Sequence, residues 1–231
     1  MTNDLFADRE IREKTLSRAD IAALAANAQP HTLVECDLEE ADLSKLDLSG
    51  WAFERCTLRR TNFTEARLEG TTWQSCRGAL SDFTGADLTE ARVLSGDFNN
   101  AVLRRAKLGS ARFQGCKLTG ADLTDARALH AAFEETLLIN ARLPAFSFRK
   151  LTLRRVDFSQ ADLRKCDFRE TVFEECSLRE ASLGGCRFDG ADLRGADLGG
   201  LRLVDAGLFR GATISRDQAG QLLAELGLNV R

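Results

Sequence analysis

Every fifth residue from Leu33 to Leu208 is a bulky apolar slot, and the sequence holds one phase throughout. Of 36 such slots, 34 carry Leu, Phe, Val or Trp; the exceptions are Gly78 and Ala128. A period of five matches neither the 3.6 of an amphipathic helix nor the 2.0 of a strand. It requires a repeat architecture and excludes a bundle or an open sheet as the main body. It also means that most residues are scaffold, so function has to be sought where the repeat is badly filled and where it stops.

Two residues before each bulky centre lies a second restricted slot, filled mainly by Ala, Cys or Thr, as at Ala41, Cys56, Thr61 and Ala66. The other three positions are polar or Gly. One large and one small inward residue in five fit a chain that turns a corner at each pentad. Four corners close a coil of twenty residues, and stacked coils then pair as parallel strands at about 4.8 Å. About nine coils follow from 36 pentads, a rod roughly 43 Å long at that spacing. Residues twenty apart should therefore stack. Charge supports this: Glu39 faces Arg59, Glu40 faces Arg60, and Glu134, Arg154 and Glu174 alternate in one column, as do Glu135, Arg155 and Glu175.

The motif Ala-Asp-Leu recurs at Ala41-Asp42-Leu43, Ala86-Asp87-Leu88, Ala121-Asp122-Leu123, Ala161-Asp162-Leu163, Ala191-Asp192-Leu193 and Ala196-Asp197-Leu198. This resembles the pentapeptide-repeat family, whose signature is Ala-(Asp/Asn)-Leu-X-X, over residues 31–210. The resemblance implies a right-handed quadrilateral parallel β-helix, an all-β solenoid, here with short N- and C-terminal helices. The expected divisions are an N-terminal helical cap over 1–30, the β-helix over 31–212, and a C-terminal helix and tail over 213–231.

Both ends carry helix signals, as a solenoid's open strand edges require. Ser17-Arg18-Ala19-Asp20 reads as a capping box ahead of Ile21, Leu24, Ala25 and Ala28, with Pro30 beyond; Ser215-Arg216-Asp217-Gln218 reads as a second one. The segment Ser215 to Val230 resembles the C-terminal module of the quinolone-resistance Qnr proteins and their mycobacterial relative, which joins two rods end to end. That likeness implies a homodimer through Leu222, Leu223, Leu226, Leu228 and Val230. The alternative is that both helices merely cover the rod.

Chemistry-bearing residues have repeat explanations. All seven cysteines (Cys36, Cys56, Cys76, Cys116, Cys166, Cys176, Cys186) fall in the small slot without a Cys-x-x-Cys pair. They read as small buried hydrophobes rather than ligands or nucleophiles. The two histidines, His31 and His130, have no nucleophile or carboxylate partner in sequence. No catalytic, cofactor-binding or metal site is expected, and the chain does not read as an enzyme. Mixed charges with a net of −3 exclude a general nucleic-acid-binding surface. No apolar stretch is long enough for a membrane helix and no signal peptide is visible, so a cytoplasmic location is expected.

The defects carry the remaining information. At Ala128, with the oversized small-slot residues Phe146, Leu151 and Val156 soon after, packing compensation is the favoured reading, Phe146 filling the volume that Ala128 vacates; a waist or partner surface over 126–156 is the alternative. Either Cys76–Leu80 or Ala126–His130 would also fit an in-phase five-residue loop insertion. Outward Leu80, Leu94, Leu129, Leu137 and Ile139 form the candidate partner surface. The resemblance implies binding to type II topoisomerases, gyrase or topoisomerase IV, with protection from quinolones or peptide poisons by mimicry of DNA. A generic interaction scaffold with another protein partner is the alternative. Uniform charge mimicry is not supported: residues 31–210 carry a net charge near −2, whereas roughly 43 Å of duplex carries about 25 negative charges.

Overall fold

The computed structural model describes residues 9–200, 207–224 and 227–230. Its body is a parallel β-solenoid. Strands β1 (Glu10–Arg12), β2 (Thr32–Val34), β3 (Ala52–Glu54), β4 (Thr72–Gln74), β5 (Arg92–Leu94), β6 (Arg112–Gln114), β7 (Ala132–Glu134), β8 (Thr152–Arg154) and β9 (Val172–Glu174) form one sheet in sequence order. A second ladder joins β10 (Cys176–Ser177) to β11 (Ala196–Asp197). From β2 to β9 each strand pairs with the residue twenty further on, as in Phe53 with Trp73. The other faces pair through single bridges at the same spacing, such as Asp42 with Asn62 and Asn62 with Asp82.

Each pentad turns because its last residue adopts the left-handed conformation. From Glu35 to Glu180 the non-glycine residues at these corners have φ between 48° and 65°. An L-residue there costs about 1–2 kcal/mol, so the corner has to be held. The Asp of the motif holds it: Asp42 Oδ1 accepts the Ser44 amide at 3.0 Å, Asp82 that of Thr84 at 2.8 Å and Asp157 that of Ser159 at 2.8 Å. Most of the repeat's aspartates are therefore turn acceptors.

The core is the pair of inward slots. Centre residues such as Leu43, Phe53, Phe63 and Leu68 are fully buried, each contributing about 1.5–3 kcal/mol before entropy. Aromatic centres stack coil on coil: Phe53 on Trp73 at 4.1 Å, Phe63 on Phe83 at 4.9 Å and Phe148 on Phe168 at 5.0 Å. The Trp73 indole donates to Thr71 Oγ1 at 2.9 Å. Phe98 fills the slot that Gly78 leaves empty, and a void of about 10 Å³ remains among Phe83, Val93, Phe98 and Phe113, at the lower limit for one water.

The charge columns form as the spacing requires. Arg59 donates to Glu39 at 2.8 Å, Arg60 to Glu40 at 3.0 Å and Arg154 to Glu174 at 2.7 Å; Arg155 pairs with Glu135. These exposed pairs are worth about 0–1 kcal/mol each and set register more than stability.

The ends depart from the strict period. The first coil begins ahead of the helix, because β1 pairs with β2 at an offset of 22 residues, Glu10 with Thr32. Helix α1 (Arg18–Ala25) is inserted into that coil, with the Ser17/Asp20 capping box formed and Ile21 buried. At the other end Asp192 bridges Thr213, and Phe209 stacks on Phe188 at 4.7 Å. One residue has been added there, so the phase slips and Phe209, not Leu208, continues the column. Register is regular through Thr57, Arg77 and Asp97 and through Lys107 and Arg127; neither Cys76–Leu80 nor Ala126–His130 is an inserted loop.

Candidate functional site: an open seam and an apolar end

The seven cysteines are buried and free. Their thiols act as donors: Cys56 Sγ points to Leu33 O at 3.3 Å, Cys116 to Val93 O at 3.2 Å and Cys186 to Leu163 O at 2.9 Å. Thr61 and Thr171 make the same bond, to Leu38 O at 2.7 Å and Phe148 O at 2.8 Å. Burial pushes the Cys116 thiol up to about 11, the opposite of an activated nucleophile. His31 is buried with its ring 5.0 Å from Trp51, and neither ring nitrogen has a partner. His130 is exposed. Among the described residues, no group of three or more His, Cys, Asp or Glu could hold a metal ion, and no helix is long and apolar enough to cross a membrane.

The surface is uneven at one place. On the adjoining coils the amide of the centre residue donates to the coil above, as Leu108 N does to Arg127 O at 2.8 Å and Phe148 N to Asp167 O at 2.9 Å. The equivalent bonds from Ala128 to Ser147 and from His130 to Arg149 are absent, as are those from Asp125 to Pro144, Ser147 to Ala126 and Thr152 to Ala131. Arg127 and Ser147 likewise lack the bridge that continues their column, and β7 meets β8 only through Glu134 and Arg154. The coils themselves stay intact: Ala131 N still donates to Ala128 O at 3.1 Å and Phe146 N to Leu143 O at 3.3 Å. The seam closes again at Leu123 N to Arg142 O, 2.8 Å, and at Glu135 N to Arg154 O, 2.9 Å.

The opening coincides with a step in side-chain size. Ala66, Ala86, Ala106 and Ala126 form one small-slot column, and Phe146 sits next in it; Ala91, Ala111 and Ala131 form another, capped by Leu151. The same two columns begin with Leu46 and Trp51, where the ladder stays closed, so the large residue opens the coils only in combination with its neighbours. Phe146 is buried against Phe148, 4.8 Å away, and Phe133, 5.9 Å away, at the edge of the gap. Ala128 supplies no centre side chain to bridge the gap. The result is a cleft of about 480 Å³ lined by Ala126, Arg127, Ala128, Leu129, His130, Ala145, Phe146, Ser147, Arg149 and Leu151. Compensation of the favoured kind therefore occurs at Gly78, while at Ala128 the packing leaves an open waist.

The expected partner residues are not one patch. Leu129 is 73% exposed at the mouth of the cleft. Leu137 and Ile139 are half-buried, two pentads round the coil from Leu129 and so on the opposite face. Leu80, 44% exposed, lies on their side several coils away; Leu94 is half-buried on the β5 face. Charge around the cleft is mainly basic. Asp122 takes Arg104 at 2.6 Å and Arg142 at 3.5 Å, and Arg149 pairs with Glu170 at 3.0 Å. Arg127 has no ion pair among the described residues.

The C-terminal end is the second feature. Helix α2 (Arg216–Ala224) starts at Ser215, whose amide donates to Gln218 Oε1 at 2.7 Å while Gln218 N donates to Ser215 Oγ at 3.1 Å. Gln218 is buried, and its Nε2 also donates to Leu193 O at 2.6 Å and Ala196 O at 2.7 Å. One side chain thus caps both the helix and the exposed edge of the last coil. Of the expected interface residues, Leu223, Leu228 and Val230 are exposed and Leu222 is half-buried; Leu226 lies outside the described residues.

A family profile for pentapeptide repeats matches eight copies spanning residues 32–206. The chain belongs to the pentapeptide-repeat family. The quadrilateral right-handed β-helix with short terminal helices is its fold. Among solved structures, the chain is similar to HetL, a pentapeptide-repeat protein involved in heterocyst differentiation regulation in the cyanobacterium Nostoc. They share 23% identity over 81% of this chain and 86% of HetL, with a TM-score of 0.67. A trypsin-treated form of QnrB1, a plasmid-mediated fluoroquinolone resistance protein, aligns over 96% of this chain and 97% of its own, with 21% identity and a TM-score of 0.47. No curated protein sequence matches.

Proposed function

We propose that this pentapeptide-repeat protein is a cytoplasmic, non-enzymatic rod that dimerises through its C-terminal end and acts by binding another protein. The observation behind this reading is that the inward slots are filled by apolar side chains and by Cys and Thr groups bonded to coil carbonyls, leaving the surface as the working part. Exposed Leu223, Leu228 and Val230 at one end supply the apolar face for the second copy. Light scattering over a range of concentrations tests it; a mass that stays monomeric contradicts dimerisation.

The proposed partner is a type II topoisomerase, gyrase or topoisomerase IV, whose response to quinolones or peptide poisons the rod would modulate. The resemblance of Ser215–Val230 to the C-terminal module of the Qnr group supports this. A net charge near −2 over residues 31–210 favours shape and specific contacts over uniform charge mimicry. Gyrase supercoiling with the purified protein, with and without ciprofloxacin, decides it. Inhibition or protection supports the partner. No effect together with no binding leaves the second reading, an interaction scaffold for a different protein, which the near-neutral surface also suits.

A further inference from the structure

We infer that the seam between the coils at Ala126–His130 and Ala145–Leu151 takes an extended segment of a partner protein, one carrying a bulky apolar side chain beside an acidic one. The inference rests on the reading of the rod as a protein-binding scaffold and names the chemistry of what one part of it binds.

Three observations fix that chemistry. The first is the unpaired backbone. Ala128 and His130 present amides, and Ser147 and Arg149 present carbonyls, that are paired in the equivalent positions of neighbouring coils and have no backbone partner here. Spaced at the intervals of a β-ladder, they are a template for strand addition. The second is the lining. Ala126, Ala128, Phe146 and Leu151 give an apolar floor, and a volume of about 480 Å³ admits a large side chain. The third is charge. The lining contains Arg127 and Arg149 and no carboxylate; Arg149 is shared with Glu170, and Arg127 lacks an ion pair among the described residues. Asp125 stands exposed just outside the cleft. An acidic side chain next to the buried one would complete Arg127, whereas a basic one would be repelled.

The test uses the full chain and three labelled peptides: Glu-Val-Phe-Val-Glu, its lysine counterpart Lys-Val-Phe-Val-Lys, and the acidic peptide with alternate backbone amides methylated. Fluorescence anisotropy is expected to rank the acidic peptide first, the lysine peptide weaker by about tenfold or more, and the methylated one without binding. Amide exchange should slow at Ala128 and His130 when the acidic peptide is bound. Arg127→Glu, at an exposed position, should keep the fold by circular dichroism and invert the order of the two charged peptides. Equal binding of both charged peptides, binding that leaves those amides unchanged, or no binding at millimolar concentration overturns the inference. If the peptides fail while gyrase still binds, only the seam is lost; if the peptides bind and gyrase does not, only the partner's identity is lost.

Discussion

The ring of Phe98 occupies the space that the absent side chain of Gly78, one coil away, would fill. It also meets Trp73 at 6.2 Å and Phe83 at 6.0 Å. The two positions are one packing unit: a Cβ on Gly78 would overlap the ring. Gly78→Leu should therefore destabilise by about 1–3 kcal/mol through overpacking, and Phe98→Ala by about 3–5 kcal/mol through the cavity it leaves. Gly78→Leu combined with Phe98→Leu should cost less than the sum of the single changes, because the pair shares one volume. Urea denaturation of the wild type, Gly78→Leu, Phe98→Leu and the double variant checks this; strict additivity would refute the shared site.

Gln218 makes a comparable double contact at the C-terminal end, with Ser215 and with the carbonyls of Leu193 and Ala196. Gln218→Ala removes the capping box and takes the Nε2 donor from Ala196 O, while Leu193 O keeps the Ala196 amide, a loss of about 2–3 kcal/mol. Gln218→Glu keeps the acceptor for Ser215 but offers no donor to the carbonyls, so it should destabilise nearly as much. Thermal unfolding of both variants reads the difference; a neutral Gln218→Glu would show that the carbonyl contacts contribute nothing.

The thiols should be inert in the native rod. Burial raises Cys116 to about 11; the hydrogen bond to the neighbouring cysteine, and then burial, raises Cys76 and Cys166, while that same bond lowers their partners Cys56 and Cys186, which burial keeps from reagents. At pH 8 a thiol reagent should leave all seven cysteines unmodified over the time in which denatured protein reacts completely. Fast reaction of even one at native conditions contradicts its place in the core.

The turn carboxylates make stability fall in acid. Arg169 donates to Asp167 and, with the Arg169 amide and the charge of Arg187, holds its carboxyl down to about 2, against partial burial. Asp42, Asp162 and Asp192 are also lowered, first by hydrogen bonds from Ser44, Arg164 and Arg194. Folded values below the unfolded value of about 3.9 mean that the stabilisation is complete above pH 4 and is lost as pH falls through the folded values. Denaturation midpoints should be flat from pH 7 to 5 and decline from about pH 4 towards 2. A steeper loss between pH 7 and 5 would point to other groups.

Much of this was legible in the sequence because the repeat fixes both slots and register. Leu33 to Leu198 gave the core, Glu39 and Arg59 gave the twenty-residue coil, and Ser17 and Ser215 gave the helix starts. What was missed lies where the period is not the governing constraint. Strand β1 pairs at an offset of 22 because a helix is inserted in its coil, so Ile11 falls outside the phase. Phe209 displaces Leu208 because one residue is added before it. The seam depended on three vertical contrasts, Ala126 under Phe146, Ala128 under Phe148 and Ala131 under Leu151. Each was visible, but whether large over small compensates or wedges is decided by where the ring points, which the pattern does not contain.

If Phe146 and Leu151 are the wedges, replacing both with Ala should close the gap. Burying one Phe and one Leu fewer would ordinarily cost about 5 kcal/mol or more. The re-formed backbone bonds return about 1 kcal/mol each, so the measured loss should be clearly smaller. Chemical denaturation of the double variant reads the sum; a full additive loss would mean that the coils stay apart for another reason.

Amide hydrogen exchange of the free wild-type protein, resolved by residue, tests the open seam most directly. The amides of Ala128, His130 and Ser147 should exchange orders of magnitude faster than those of Leu108, Ser110, Phe148 and Lys150, their equivalents on the coils below and above. Uniform protection across all seven would mean that the coils are hydrogen-bonded throughout and that the rod has no seam.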